Sequence, residues 1–132
     1  MVPRMHLYRL SAAAQLLGVS DDTLRRWADA GRLRTTEDAD GRRVIEGADL
    51  AAFAVALAGD PTGPVATSAR NAFPGIVTRV LRGDVASQVE VQSGPHRLVS
   101  LMTTESVDAL GLAPGMPATA SVKSTNVVVE VP

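Results

Sequence analysis

The sequence predicts an α+β protein with a helix-rich first half and a strand-rich second half. Ala- and Leu-rich segments with helix-capping residues dominate residues 8–58, and Val-rich segments separated by turn residues dominate residues 76–131. Between them, four of the eight residues in 59–66 are Gly or Pro, which disfavour regular structure. The sequence therefore predicts two units, residues 1–58 and 67–132, joined by a linker at residues 59–66.

The composition limits the classes of function that the chain can have. It has 132 residues, a formal net charge of −1, no cysteine and two separate histidines, His6 and His96. Disulfides and thiolate metal sites are therefore excluded, and no general polybasic field draws the chain to nucleic acid or membrane. The apolar run at residues 50–58 is too short to span a bilayer, and the first residues lack a signal peptide's apolar core. We expect a cytoplasmic protein with no membrane partner.

Two short helices and a tight turn are predicted in the first half. Ser11 suits the N-cap of a helix over residues 12–17, and Gly18 suits its end. Ser20 is a second N-cap before a helix over residues 21–30, whose first turn is acidic. Two short helices joined in this way form a helix-turn-helix.

A hairpin and a third helix are predicted to follow. Residues 33–36 and 42–45 flank a turn region that contains Asp-Gly, which indicates a β-hairpin with Arg42 and Arg43 at its base. Residues 49–58 form the predicted third helix. The polar face of the second helix has the composition of a surface that enters a DNA major groove. A solvated charged face on a small helical hairpin is the alternative.

This half of the chain resembles the winged helix-turn-helix of the MerR/excisionase family over residues 8–57. The resemblance rests on residues 16–27, 30–33 and 41–45. It implies that the second helix reads a major groove of DNA and that the hairpin is a wing on the phosphate backbone. The DNA-binding residues assigned from it are Ser20, Thr23, Arg25, Arg26, Arg42 and Arg43.

Two features depart from MerR regulators. The third helix ends at Ala58, where such regulators usually continue with a long dimerising helix. Glu37, Asp38 and Asp40 are expected to weaken the attraction of the wing for phosphate.

Five short strands and one small helix are predicted in the second half, at residues 76–81, 85–92, 96–102, 118–123 and 127–131, with the helix at 103–110. Thr103 suits the N-cap of that helix and Gly111 its end. This pattern fits a small OB-like β-barrel. Because each unit is small and buries little surface, we also expect the chain to oligomerise.

A possible anion site is visible in two distant segments. Residues 67–71, Thr-Ser-Ala-Arg-Asn, offer hydroxyl, guanidinium and amide donors, and Lys123 is the only lysine among 13 basic residues. A lysine acts as a compact point charge and an arginine as a planar fork, so a lone lysine suggests that an ammonium is needed there. A surface lysine placed by chance is the alternative.

The second half resembles a Mop (molbindin, TOBE-type) domain over residues 67–131. The resemblance rests on residues 68–71, Gly75, and residues 103–106, 110–112, 114–115 and 122–127. It implies binding of molybdate or tungstate at subunit interfaces and a homo-oligomer, either a dimer or a trimer of dimers. The oxyanion-binding residues assigned from it are Ser68, Ala69, Arg70, Asn71, Thr103, Ser106, Lys123 and Ser124. Alternatively, residues 68–71 only cap the barrel and hold a dimer interface.

Three functions remain open at this stage, and none is enzymatic, because no catalytic pair lies near the motifs. The first is a transcription regulator that binds DNA in response to molybdate or tungstate. The second is a molybdate storage or buffer protein whose helical module does not bind DNA. The third is excisionase-like architectural DNA binding with an incidental barrel.

Overall fold

A computed structural model describes residues 6–59 and 67–132, which form two compact units, one on each side of the gap. The predicted linker lies outside the described residues except for Gly59. The unit boundaries at residues 58 and 67 therefore stay predictions. Within the described ranges, no helix combines the length and hydropathy needed to cross a membrane.

Over residues 6–59, the first unit contains three helices and a small antiparallel sheet with strand order β1-β3-β2. Its elements are β1 (Leu7–Arg9), α1 (Leu10–Leu17), α2 (Asp21–Asp29), β2 (Thr36–Glu37), β3 (Arg43–Glu46) and α3 (Gly47–Ala58). The predicted hairpin is present as β2 and β3, with shorter strands than expected. Strand β1 was not predicted, because three residues are too short to show an alternating pattern.

The ends of the first two helices follow local chemistry with one exception. Gly18 ends α1 with a left-handed φ of 72°, and the Ser20 side chain accepts a hydrogen bond from the Thr23 N–H at 3.1 Å, as predicted. The prediction that Ser11 is an N-cap is wrong. Helix α1 begins at Leu10 and Arg9 occupies the cap position without a side-chain bond, because pairing of β1 with β3 brings the chain to the helix two residues earlier.

An apolar core holds α1, α2, β3 and α3 together. Its buried residues are Leu10, Ala13, Ala14, Leu24, Leu33, Ile45 and Leu50. The rings of Trp27 and Phe53 pack against this core with their centroids 5.4 Å apart. The packing fixes the orientation of α2, so that its remaining face points to solvent.

The second unit is an antiparallel sheet with strand order β6-β5-β4-β7 and one helix. Its elements are β4 (Asn71–Arg82), β5 (Ala86–Ser93), β6 (His96–Thr103), α4 (Thr104–Leu110) and β7 (Pro117–Val122). Val77, Val89, Val91 and Val107 form its buried core. Strands β6 and β7 lie at the two edges and do not pair with each other, so the unit is an open half-barrel.

The predicted fifth strand at residues 127–131 is wrong for the single chain. A short 3₁₀ helix at Ser124–Asn126 follows β7, and residues 127–131 have no strand pairing. Val128, Val129 and Val131 are 82%, 87% and 90% exposed. β-Branched composition predicts how well a residue fits a pleated sheet, but a strand also needs an edge to pair with.

Gly75 allows β4 and β5 to approach closely, which leads to a stability prediction. A Cβ atom at this position would overlap the main-chain carbonyl of Gln92 on β5. We expect Gly75→Ala to destabilise the second unit by about 1–3 kcal/mol, the usual cost of overpacking. Denaturant unfolding measures the effect, with Thr119→Ala on the exposed side of β7 as a control that changes little. Equal unfolding midpoints for Gly75→Ala and wild type would show that the strands can separate at no cost.

Candidate DNA interface and anion site

The solvent-facing side of α2 presents its arginines through a chain of hydrogen bonds. The Ser20 hydroxyl donates to Thr23 Oγ1 at 2.9 Å, and Arg26 Nη2 donates to the same oxygen at 3.3 Å. Two of the predicted DNA-binding residues, Ser20 and Thr23, are therefore already bonded within the helix. Arg25 is exposed, and a guanidinium has five N–H donors, so Arg25 and Arg26 retain donors for a ligand.

The tip of the hairpin is built by Asp38. Its Oδ1 accepts hydrogen bonds from the main-chain N–H groups of Asp40 at 2.9 Å and Arg42 at 2.8 Å. Gly41 has a left-handed φ of 76° in the same turn. An Asp side chain that bonds the main chain two residues ahead is a common way to form a turn. Asp38 thus stabilises the turn that carries Arg42. Its negative charge is also expected to weaken the attraction of the wing for DNA phosphate.

Arg43 is directed toward the end of α2. Its Nη1 lies 2.8 Å from Asp29 Oδ1, and its Nε donates to Thr35 Oγ1 at 3.2 Å. The predicted wing residues therefore differ, because Arg42 is exposed at the turn and Arg43 is paired. Sequence reasoning missed Asp29 and Thr35. No local pattern could reveal them, because they lie fourteen and eight residues from Arg43 along the chain.

The predicted anion-binding segments meet where β4 begins and β7 ends. Asn71 pairs with Val122 in the antiparallel register, and Asn71 Nδ2 donates to the Val122 carbonyl at 3.0 Å. In an antiparallel pair, the residue before Asn71 lies across from the residue after Val122. Arg70 and Lys123 are therefore placed at the same end of the sheet.

The groups at this end of the sheet are mostly donors. Ser68, Arg70, Lys123 and Ser124 are exposed, and within the described residues neither cation has a salt-bridge partner. Asn71 is used to join the strands, and the Ala69 N–H donates to Thr67 Oγ1 at 3.1 Å. Two cations and two hydroxyls thus remain to interact with an oxyanion, whose oxygens accept hydrogen bonds.

Thr103 and Ser106 form a separate polar cluster at the start of α4. Thr103 Oγ1 accepts from the Ser106 N–H at 3.1 Å and lies 2.7 Å from Ser106 Oγ, which confirms Thr103 as the N-cap. Thr104 Oγ1 donates to the Gly83 carbonyl and bonds Ser87 Oγ, both at 2.7 Å. The donors and acceptors of this cluster are therefore largely satisfied by one another.

One chain does not bring the two clusters together. Thr103 pairs with Ala86, next to the β4–β5 turn, whereas Asn71 is at the opposite end of β4. Asn71 and Arg82 are the first and last residues of β4, eleven residues apart, so the two clusters lie at opposite ends of this strand. A site that contains both clusters therefore requires a second copy of the chain.

A cavity of about 510 Å³ lies between the two edge strands of the half-barrel. It is bordered by β6 residues such as Val99 and Met102 and by β7 residues such as Ala118 and Val122, and its lining contains no charged side chain. An uncharged, mostly apolar cavity does not suit a dianion. The cavity interior is therefore not the candidate anion site, although Val122 borders both.

Comparisons with known proteins match both units. A helix-turn-helix domain model matches residues 7–54, and a TOBE domain model matches residues 67–129. Molybdenum-pterin-binding protein 2 of Clostridium pasteurianum is 36% identical over 63 residues, which are 47% of this chain and 93% of that protein. The chain belongs to the TOBE-domain (Mop) family. We call residues 67–132 the Mop unit.

Two larger proteins are similar to part of this Mop-family chain. Molybdenum-pterin-binding protein MopA of Rhodobacter capsulatus is 37% identical over 83 residues, covering 62% of this chain and 31% of MopA. The molybdate-bound structure of the cytoplasmic molybdate-binding protein ModG is 36% identical with a TM-score of 0.50, covering 52% of this chain and 50% of ModG. The chain thus spans about a third of MopA and half of ModG.

The comparisons confirm the predicted fold class, a helix-turn-helix followed by an OB-like Mop domain, with the correction that one copy has four strands. The MerR/excisionase subclass stays a prediction, since the matched model describes a helix-turn-helix domain without that subclass. The names of MopA and ModG are those of binding proteins.

Proposed function

We propose that this Mop-family chain is a cytoplasmic transcription regulator that binds DNA in response to molybdate or tungstate. The observation that carries the proposal is the presence of two different binding surfaces in one chain. The first is the exposed arginine face of α2 in a helix-turn-helix. The second is a pair of exposed cations, Arg70 and Lys123, which flank the paired residues Asn71 and Val122 in a Mop unit.

The anion would be bound first by the cluster at the start of β4 and the end of β7. Arg70 and Lys123 neutralise its charge, and Ser68 and Ser124 donate hydrogen bonds to its oxygens. Ala69 and Asn71 hold the segment in place. Thr103 and Ser106 would join the site from a second copy, after their mutual hydrogen bonds rearrange.

Assembly of the Mop unit is supported by surfaces that one copy leaves open. Among the described residues, no strand pairs with the outer edge of β6, and the exposed valines of residues 127–131 are not part of a sheet. We propose that residues 127–131 of one copy extend the sheet of another and cover the apolar cavity. This exchange would also bring a second chain to the anion site.

We expect Val129→Asp to reduce the oligomeric state, because the charge would be buried in the proposed contact. Light scattering coupled to size-exclusion chromatography gives the mass of the assembly. Glu130→Ala changes the neighbouring residue and should leave the mass unchanged. If Val129→Asp and wild type have the same mass, residues 127–131 do not form the contact.

A molybdate storage or buffer protein is the second candidate. It is favoured by the charge of residues 1–60, which carry eight arginines and nine acids, and by the pairing of Arg43 with Asp29. A gel shift with DNA from upstream of the chain's own gene separates the candidates. A shift at low salt supports the regulator, whereas no shift with or without molybdate supports storage.

A further inference from the structure

We infer that Asp29, Arg43 and Thr35 form a positioning clamp that holds the wing against the end of α2, and that Arg43 is not a DNA contact. This inference rests on the proposed DNA binding of the first unit and refines it. It divides the two wing arginines into one that reaches DNA, Arg42, and one that orients the wing.

The geometry fixes Arg43 at two points. Nη1 lies 2.8 Å from Asp29 Oδ1 at the last residue of α2, and Nε lies 3.2 Å from Thr35 Oγ1 in the segment that leads into β2. A planar guanidinium held through two of its nitrogens has little freedom to turn toward another ligand. Strand β3, the lead into β2 and helix α2 are thereby joined by one side chain.

The charges around Arg43 support the same role. Glu37 lies directly across the β2–β3 ladder from Arg43, so acids on both sides reduce the positive field that this arginine offers to phosphate. Arg42 is exposed, and its main-chain N–H is held by Asp38 at the turn. Of the two arginines, Arg42 therefore has the guanidinium that is more available to contact a DNA phosphate.

The position of Asp29 also requires an explanation. A carboxylate at the end of a helix lies near the negative pole of the helix dipole, where acids are unfavourable and bases are preferred. Asp29 occupies this position in α2 and is 68% exposed, whereas its partner Arg43 is 39% exposed. The pairing with Arg43 accounts for an acid at this helix end.

The test compares two variants that remove the same charge. Asp29→Asn breaks the clamp. Asp40→Asn is the control, because it removes an exposed acid from the hairpin turn, and the Asp40 side chain makes no hydrogen bond among the described residues. Binding of a fluorescent duplex from upstream of the chain's own gene is measured by anisotropy at several salt concentrations. Thermal unfolding of each variant is recorded in parallel.

The clamp predicts that Asp29→Asn weakens DNA binding by about five-fold, the scale of an exposed ion pair, while Asp40→Asn keeps or improves it. In Asp29→Asn the melting temperature should fall by at most a few degrees, the scale of one lost exposed ion pair, and in Asp40→Asn it should stay the same. Arg43→Ala should leave the slope of log K against log salt unchanged, whereas Arg42→Ala should reduce it by about 0.9, the value for one phosphate contact.

The opposite results identify a direct contact. If Arg43 binds phosphate, Asp29→Asn releases it and tightens binding, and Arg43→Ala lowers the salt slope. Either result overturns the clamp while DNA binding by wild type still supports the regulator. If wild type binds no duplex at low salt, with or without molybdate, the proposed function and the clamp both fail.

Discussion

Replacing Lys123 by alanine is expected to weaken molybdate binding by about ten- to one hundred-fold. Lys123 lies at the sheet end that also carries Arg70, and hydrogen bonds to a charged group contribute more than neutral ones. Isothermal titration with molybdate, tungstate and sulfate measures the loss. Wild type should bind molybdate or tungstate tightly and sulfate weakly.

Two controls define what the loss means. Arg79→Ala removes an exposed cation from the middle of β4 and should leave molybdate binding unchanged. Lys123→Arg retains the charge and tests whether a compact ammonium is needed. Unchanged molybdate affinity in Lys123→Ala would place the anion elsewhere and remove the basis of the proposed site.

Replacing Arg25 and Arg26 together by alanine is expected to weaken DNA binding by about one hundred-fold or more. Each arginine that contacts a base or phosphate contributes on the order of 1–3 kcal/mol, and both lie on α2 with donors facing solvent. Anisotropy with labelled duplex DNA measures the loss. Molybdate binding, measured by titration, should remain intact because the proposed anion site is in the other unit.

A matched double variant removes the same charge from the Mop unit. Arg79→Ala with Arg82→Ala changes two exposed arginines of β4 and should have a small effect on DNA affinity. Equal DNA affinity of Arg25→Ala/Arg26→Ala and wild type would show that α2 is not the recognition helix.

The sequence predicts those parts of the fold that depend on near neighbours. Ser20 and Thr103 each cap a helix through an N–H three residues ahead, and Gly18 and Gly111 end helices with left-handed φ values. These helix caps and helix ends involve only residues that lie within a few positions of one another along the chain. Strand β1 was missed, and residues 127–131 were wrongly predicted to form a strand. In both cases strand formation depends on whether the edge of a sheet, formed by residues distant in sequence, is available for pairing.

The same distinction applies to the candidate sites. Asn71 and Val122 are 51 residues apart. The donor chemistry of their segments and the resemblance to Mop domains both suggest a shared site, but neither predicts the strand pairing that joins them. The separation of Thr103 from Lys123 depends on strand register, which no single motif shows. The role of Arg43 depends on Asp29, which lies on another element.

An anion can control DNA binding only if anion binding and DNA binding both depend on the same equilibrium, here the assembly of two or more copies of the chain. A second copy would complete the anion site and would also provide the second helix-turn-helix of a DNA-binding pair. Molybdate would then shift DNA affinity through assembly of the Mop unit, and DNA would shift molybdate affinity by the same factor.

The most direct test of this account is the affinity of the wild-type chain for its upstream DNA, measured with and without saturating molybdate at constant ionic strength. The account predicts a change of about five-fold or more in either direction, the usual lower range of coupling between two sites, and no change with sulfate. Identical DNA affinity in the presence and absence of bound molybdate would contradict a molybdate-responsive regulator.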